Sequence, residues 1–413
     1  MKNKGLKILL CVLLVLCIIM AGALIGKEYI GDNIKEAANQ NGVDVVKDTS
    51  DTGKEDENAV DSTAEGTEST QSDATKADVT EADTQQPQMS TIVITATGDC
   101  TLGNNQEQSY DGSFNSYYDS KGQDYFFGGV RDIFEADDMT LINLECVLSD
   151  ATERVEKRWN LKGKPGYIGI MTGSSIEACS LGNNHTYDYG QQGLDDTRNV
   201  LDNAGIVYGF NDHTGIYETA DGTRIGIVSV SLLSQNGDRE AYIQNGDREA
   251  YIQNGIAQLR NQGAAIVIAC CHWGIEGDHY PNDYQQAAAH RIIDWGADLV
   301  VGNHPHVLQG MEVYNGKMIC YSLGNFCFGG NKNPADKNTA IYQQAFTLIN
   351  GELQPGIDAQ IIPCTLSSVS SYNDFRPTVA SGEKAQEICN LMNTYSQNYS
   401  KIEIDGLGKL HVN

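Results

Sequence analysis

Residues 264–330 decide the fold: they read AAIVIACCHWGIEGDHY at 264–280 and GADLVVGNHPHVLQGMEVYNGKMICYSLGNFCFGG at 296–330. Three short apolar runs in this stretch, at 266–271, 299–301 and 318–321, each stop at polar residues. Continuous apolar runs of this length are typical of strands buried on both faces of a parallel sheet. An amphipathic segment from Asp283 to Trp295, followed by Gly296, predicts the crossover helix between the first two strands. The stretch therefore predicts an α/β (α+β) fold.

Polar side chains follow each of the three predicted strands. They are His272 after the first, Asn303, His304 and His306 after the second, and Ser322, Gly324 and Asn325 after the third. In sheets of this kind, ligands bind in the crevice beyond the carboxyl ends of the strands. The three groups are therefore expected to meet at one site.

Three histidines at strand ends indicate a divalent metal, because neutral imidazole is the commonest nitrogen ligand of such ions. On an extended backbone, the spacing of His304 and His306 would point both rings to the same side. The alternative is that these histidines only hydrogen-bond backbone carbonyls, which is the commoner outcome for one isolated histidine. Because three histidines are expected to converge here, metal binding is the favoured interpretation.

The N-terminal region predicts a membrane anchor and a tether. Residues 1–7 form a basic flank, and residues 8–25 are 18 apolar or small residues, which as a helix would span about 27 Å. We interpret 8–25 as a single-pass anchor with the following domain outside the cell membrane. The alternative is a signal peptide cleaved near 21–23, which would give a secreted protein. Residues 26–90 form an acidic linker, whose part from 31 has 15 acidic residues, 4 lysines and no aromatic residue, and it is predicted to be disordered.

From Thr91 onward the composition is that of a folded domain. This part carries 39 acidic and 20 basic residues, which argues against nucleic acid as a partner and predicts that an anionic substrate would need a metal. We expect the main domain over 91–333, and strands and a helix over 334–413 that complete it. Its cysteines include no CxxC pair, so neither a disulfide framework nor a thiolate zinc site is expected.

Further predicted strands in the first half of this domain also end at polar side chains. The strand at 92–97 leads to Asp99, and the strand from Met139 leads to Asn143 and Glu145. A third leads from 178–181 into Asn183, Asn184 and His185, with Asp188 close behind and a predicted helix over 191–204. We expect all of these residues in the same crevice.

A tandem duplication lies between the two halves of the domain: QNGDREAYI at 235–243 is repeated at 244–252. Nine residues on a helix leave the two copies about half a turn out of phase. The segment is therefore predicted to form a surface loop, where added length costs little.

The motif set resembles one family over roughly 91–330. Its members are GD at 98–99, NLE at 143–145, GNNHTYDYG at 182–190, HWG at 272–274, GNHPHV at 302–307 and YSLGNF at 321–326. The set is similar to that of the CapA (PGA_cap) family of bacterial capsule-synthesis proteins, which is associated with poly-γ-glutamate capsules. This resemblance implies a four-layer αββα sandwich of the metallophosphoesterase type. It also implies one or two divalent metal ions of the Mn, Fe or Zn type.

The resemblance also implies roles for individual residues. The metal ligands would be Asp99, Glu145, Asn184, His272, His304 and His306. His185 would be the catalytic acid, supported by Asp188, and the substrate-binding residues would be Asn143, Asn183, Glu276, Ser322 and Asn325. The sequence departs from the phosphoesterase pattern at Asp99-Cys100-Thr101, where the histidine of D-x-H is missing, and at Glu145, which stands for the usual bridging aspartate.

Two functions are consistent with these residues. One is metal-dependent hydrolysis of a phosphoester or a γ-glutamyl amide during capsule or poly-γ-glutamate biosynthesis. The alternative is a non-catalytic, metal-binding surface-assembly factor that holds a polyanion or the subunits of a membrane synthase.

Overall fold

The computed structural model describes residues 87–233, 245–399 and 402–412. The predicted membrane helix at 8–25 and the linker up to residue 86 lie outside these ranges. The first strand begins at Met89, two residues before the predicted start of the domain at Thr91. Within the described ranges, no helix combines the length and the apolar character that crossing a bilayer requires.

Twenty strands and seven α-helices make up the described part of the chain. The strands are β1 (Met89–Thr101), β2 (Asn104–Asn105), β3 (Met139–Leu144), β4 (Val147–Leu148), β5 (Leu161–Gly163), β6 (Ala178–Ser180), β7 (Val207–Gly209), β8 (Gly215–Glu218), β9 (Arg224–Ser231), β10 (Ile266–His272), β11 (Leu299–Asn303), β12 (Met311–Tyr314), β13 (Lys317–Cys320), β14 (Asn325–Phe328), β15 (Asn338–Ile349), β16 (Glu352–Leu353), β17 (Asp358–Thr365), β18 (Thr378–Val379), β19 (Ile402–Ile404) and β20 (Leu410–Val412). The helices are α1 (Phe114–Lys121), α2 (Arg131–Phe134), α3 (Ile168–Thr172), α4 (Gly190–Ala204), α5 (Asn245–Asn261), α6 (Asp283–Asp294) and α7 (Gly382–Ser396).

Two large sheets carry the fold. The first has nine strands in the order β18-β17-β15-β1-β3-β6-β7, with β14 beside β1 and β16 beside β15. The second has six strands in the order β12-β13-β11-β10-β9-β8. The predicted parallel strands β10, β11 and β13 are neighbours in the second sheet, and β9 pairs in parallel with β10. This arrangement confirms the mixed α/β class.

Three apolar clusters fill the spaces around the two sheets. Alternate residues of β10 enter different clusters: Ile266 and Ile268 join the cluster shared by both sheets, whereas Val267 and Ala269 join the cluster shared with α5 and α6. A third cluster joins the first sheet to α1, α2, α3 and α4. The sheets therefore pack on each other with helices on their outer faces, and β10 is buried on both sides as its apolar run predicts.

The helix boundaries follow the predicted capping signals. Helix α6 begins at a capping box formed by Asn282 and Gln285 and ends next to Trp295. Helix α4 is closed by Gly205 in the left-handed conformation, which glycine adopts without steric cost. Both predicted helices are confirmed.

The prediction for the duplication is wrong for its second copy. Residues 245–252 form the first part of α5, where Ile252 is buried in the core. Arg248 donates to the carbonyls of Ser231 and Leu233 at 3.0 and 2.9 Å, and Glu249 accepts from Arg291 at 2.7 Å. The second copy is helical because its own side chains reach the core and the end of β9. The first copy lies outside the described residues.

Because the two copies have the same sequence, the first copy provides a matched control residue for testing these contacts. Replacing Arg248 with alanine should lower the free energy of unfolding by about 2–4 kcal/mol, because buried carbonyls lose a charged donor. Arg239→Ala, at the equivalent position of the first copy, is expected to change it by less than about 0.5 kcal/mol. Chemical denaturation of both full-length variants measures the difference. Equal losses would contradict the assignment of these contacts to the second copy.

Candidate metal centre

A glycine near the end of β1 allows the Asp99 side chain to enter the site. A Cβ atom at Gly98 would lie 1.8 Å from the carbonyl oxygen of Gly324, so only glycine lets the chain before β14 come this close. The backbone N–H of Asp99 donates to that same carbonyl at 2.9 Å. The GD motif therefore fixes the place where the Asp99 carboxylate enters the crevice.

A second glycine allows the two sheets to come into close contact at the site. A Cβ atom at Gly182 would lie 2.4 Å from Ser229 Oγ, and the Gly182 N–H donates to that hydroxyl at 3.0 Å. This contact carries the loop after β6 onto the second sheet. As a result, Asn184 Oδ1 accepts from His272 Nε2 at 3.0 Å.

The Glu145 carboxylate lies at the middle of the cluster. Its side chain is fully buried, and neither oxygen has a hydrogen-bond partner among the described residues. Its Oε1 atom is 3.7 Å from His272 Nε2, 3.7 Å from His306 Nε2 and 3.9 Å from His185 Nε2. Burial, together with the charge of Asp99, raises the pKa of Glu145 well above its usual value. Glu145 therefore retains a proton unless a cation lies beside it, and only a cation would keep it ionised here.

In their neutral forms, two of these imidazoles present a lone pair to Glu145. Nδ1 of His306 lies 3.1 Å from Asp99 Oδ2, and Nδ1 of His185 lies 2.7 Å from Asp188 Oδ2. Because a carboxylate only accepts, each Nδ1 carries the proton in the neutral ring, and each Nε2 faces Glu145 without one. Carboxylates orient metal-ligating histidines in this way.

Asp99 stays ionised inside the cluster. Burial acts to raise its pKa, but the hydrogen bond and charge of His306, with help from Asn143 and His304, outweigh burial and lower it. Asn143 Nδ2 donates to Asp99 Oδ1 at 2.8 Å, and the His304 N–H donates to Oδ2 at 3.3 Å. Both oxygens of Asp99 therefore already have partners in this structure.

The backbone at His304 and His306 differs from the extended form that the spacing predicts. Both residues are left-handed, with φ of 97° and 59°, and such strain in non-glycine residues is concentrated at functional sites. The rings still converge, with centroids 5.8 Å apart. The ring of His304 also lies 4.8 Å from that of His272. The prediction of an extended step is wrong, although both side chains reach the crevice.

The two histidines of this turn have opposite electrostatic environments. Burial, with the neighbouring His306, lowers the pKa of His304 to about 3, and its buried Nδ1 has no hydrogen-bond partner within the described part of the chain. Burial also acts to lower the pKa of His306, but Glu145 and Asp99 raise it to about 10. Burial lowers the pKa of His272 and His185 as well. His304 therefore offers a neutral imidazole, while His306 is held by carboxylates.

The candidate ligand atoms fall into two groups. One comprises Asp99, Glu145 and His272, and the other Glu276, His304 and His306, with the ligand atoms of each group within 4.8 Å of one another. Ligands about 2.0–2.2 Å from one ion lie roughly 3–3.6 Å apart, which is close to the separations around Glu145. Imidazole and carboxylate donors with buried, unpartnered atoms fit one or two divalent cations. Glu276, which the sequence analysis predicts to bind substrate, lies beside the histidines in this grouping.

The remaining predicted substrate-binding residues are engaged within the protein. Asn183 Nδ2 donates to Asn143 Oδ1 at 3.2 Å, and its Oδ1 accepts from the His185 N–H at 3.0 Å. Ser322 Oγ donates to the Val307 carbonyl at 2.7 Å. Asn325 Oδ1 accepts from His306 Nδ1 at 2.9 Å. In this structure Asn183 and Asn325 contact candidate residues of the centre, Ser322 contacts only the backbone, and a role of these side chains toward substrate stays a prediction.

Sequence reasoning missed Lys157. Its Nζ forms an ion pair with the fully buried Asp188 and donates to the Asn184 carbonyl at 2.9 Å. Lysine therefore supports the turn that carries both Asn184 and His185. The signal for it was a run of basic residues at 154–164 in an otherwise acidic domain.

Comparison with known proteins agrees with the motif set. The chain is 33% identical over 221 residues to the PGA biosynthesis protein CapA of Bacillus subtilis, covering 51% of this chain and 58% of that protein. It is 29% identical over 253 residues to the capsule biosynthesis protein CapA of Bacillus anthracis, covering 57% of this chain and 60% of that protein. The chain therefore spans about three fifths of the length of these relatives.

A solved structure gives a weaker likeness. The 5'-nucleotidase from Candida albicans SC5314 is 11% identical, with a TM-score of 0.36, over 74% of this chain and 58% of that one. Nothing about fold or function follows from a likeness at this level. The family described as bacterial capsule synthesis protein PGA_cap, in contrast, matches residues 93–330, which include every residue of the candidate centre. This chain belongs to that family.

Proposed function

We propose that this chain acts in capsule or poly-γ-glutamate synthesis as a metal-dependent hydrolase, with a fold of the metallophosphoesterase type. Its substrate would be an anionic polymer that contains a phosphoester or a γ-glutamyl amide. The names of the relatives supply the context of capsule and poly-γ-glutamate biosynthesis. The observation that carries the chemistry is the buried, unpartnered Glu145 carboxylate with three imidazole nitrogens around it.

The proposed centre uses nitrogen and oxygen donors from both sheets. Asp99, Glu145, Asn184 and His272, together with His304 and His306, would hold one or two divalent ions. Such ions polarise a phosphoryl or acyl group and stabilise the negative charge that develops during its hydrolysis. The acidic character of the domain, with 39 acidic and 20 basic residues from Thr91 onward, supports a need for cations when an anionic substrate binds.

His185 is the proposed proton carrier. Asp188 accepts its Nδ1 proton at 2.7 Å, so the neutral ring keeps Nε2 free to take a proton from water. The same carboxylate stabilises the ring once it is protonated, and Nε2 then returns the proton to the leaving group. Lys157 holds Asp188 in place from the other side.

A non-catalytic alternative has one specific observation in its favour. Thr101 stands where the phosphoesterase pattern has a histidine, and its hydroxyl donates to the Glu145 carbonyl at 3.2 Å. One ligand position of the two-metal phosphoesterase pattern is thus replaced by a structural contact, which favours a single ion. Such a centre would suit an assembly factor that holds a polyanion or a synthase subunit at the membrane.

Hydrolysis assays separate the two proposals. The metal-loaded full-length chain would be incubated with γ-linked glutamate oligomers and with a phosphodiester, and product formation would be followed. Metal-dependent cleavage of either substrate supports the hydrolase. Metal binding without cleavage of either supports the assembly factor.

We further propose that the N-terminal segment anchors the domain outside the membrane.

Metal content tests the central role of Glu145. Glu145→Gln should reduce bound metal at least ~10-fold, which is the effect of losing even an outer partner of a ligand. Elemental analysis after dialysis measures this loss. Glu276→Gln is the matched variant in the second group of ligands. The amount of metal that this variant retains shows whether the protein binds a second ion. Wild-type metal content in Glu145→Gln would contradict the proposed centre.

Two histidine variants separate proton transfer from metal binding. His185→Ala should leave the metal content near that of the wild type and reduce turnover by ~10²–10⁴-fold, as expected for a positioned acid or base. His304→Ala should instead lose metal. If His185→Ala removes the metal as completely as His304→Ala does, then His185 is a ligand, and the role proposed for it is wrong.

A further inference from the structure

The run of basic residues at 154–164, here called the basic strap, contains none of the candidate metal ligands. It holds five of the 20 lysines and arginines found from Thr91 onward and only one acidic residue. In a domain with a large excess of acidic residues, such a concentration is a local site of positive potential. Its location therefore decides what it can attract.

Several contacts tie the strap to the turn at 184–188. The Val155 N–H donates to the Asp188 carbonyl at 3.0 Å, and Asn160 Nδ2 donates to the same carbonyl at 3.2 Å. The Leu161 N–H donates to the Asp188 carboxylate, and Lys157 pairs with that carboxylate as well. These anchors lie on both sides of residues 158 and 159. The two residues are therefore held beside the turn that carries His185.

Arg158 and Trp159 are two adjacent exposed residues of this strap. Trp159 is 48% exposed, and the Arg158 guanidinium carbon lies 4.7 Å from the centre of its ring. The other cations of the strap have partners: Arg154 pairs with Glu107 at 3.3 Å, Lys164 with Asp119 at 3.5 Å, and Lys162 donates to the Ala151 carbonyl. Within the described residues, no carboxylate forms an ion pair with Arg158.

This arrangement suits the binding of an anion. Stacking on an indole ring restrains the guanidinium plane but leaves the N–H groups at its edge available. Those groups match carboxylate and phosphate oxygens in a two-point contact. An exposed, restrained arginine beside the proposed reaction centre is thus suited to an anionic group next to the bond that reacts.

We propose that Arg158, supported by Trp159, is a subsite that binds one carboxylate or phosphate of the polymer flanking the bond at the metal centre. This subsite deepens the proposed function and rests on it for the identity of the polymer. The subsite would bind a group of the substrate that does not itself react. Binding of this group positions the bond that reacts.

Calorimetric titration of the full-length, metal-loaded chain tests the subsite without depending on turnover. The probes are a γ-linked glutamate decamer and a glycerol-phosphate decamer, which separate carboxylate from phosphate. Arg158→Gln should weaken binding of the preferred probe about 10-fold, as expected for loss of a charge-assisted pair. Arg158→Lys should recover part of it. Arg154→Gln removes the same charge from the same strap and should change binding less than about 2-fold.

The outcomes separate the subsite from the hydrolase proposal. Binding that depends on Arg158, without cleavage of either probe, supports the subsite and counts against the hydrolase. Cleavage with unchanged binding in Arg158→Gln overturns the subsite alone. The subsite is also overturned if Arg154→Gln loses as much affinity as Arg158→Gln, or if the wild-type chain binds neither decamer.

Discussion

The arrangement of this site depends on compensating the charge of one buried carboxylate, that of Glu145. Removing an ionised carboxylate from water costs several kcal/mol unless a partner compensates it, and Glu145 has no hydrogen-bond partner among the described residues. Three imidazole nitrogens lie 3.7–3.9 Å from its Oε1 atom, which is too far for hydrogen bonds. For His272 and His306, both at 3.7 Å, this separation suits ligands that share an ion with Glu145. The same environment raises the pKa of both Glu145 and His306, so protons are retained where a cation would bind.

The fold supplies this environment from two separate sheets. Asp99 and Glu145 come from the first sheet, and His272 comes from the second. Gly182 makes the meeting possible, because a side chain there would collide with Ser229 across the interface. The left-handed turn at His304 and His306 then closes the crevice. Backbone strain at this turn and the unpartnered carboxylate both lower the stability of the metal-free chain, and binding of a cation would offset them.

The sequence predicts the strands, the helices and the convergence of the polar residues, because these follow from apolar runs and capping residues at known spacings. Helix α6 and the ends of β10 and β11 are examples. Sequence alone could not predict the left-handed backbone at His304, since its cause is packing against other strands. It also could not group Glu276 with the histidines, or place Lys157 against Asp188, because both contacts depend on loops. The helical second copy of the duplication was mispredicted because tertiary contacts of Arg248 and Ile252 override local periodicity.

The most direct test of the account is an anomalous-diffraction measurement on crystals of the chain grown with Mn²⁺ or Zn²⁺, with data collected at the absorption edge of the metal. We expect a peak within about 2.0–2.3 Å of a Glu145 oxygen and of at least two imidazole nitrogens among His272, His304 and His306. A fully occupied metal elsewhere, with Glu145 left uncoordinated, would contradict the account.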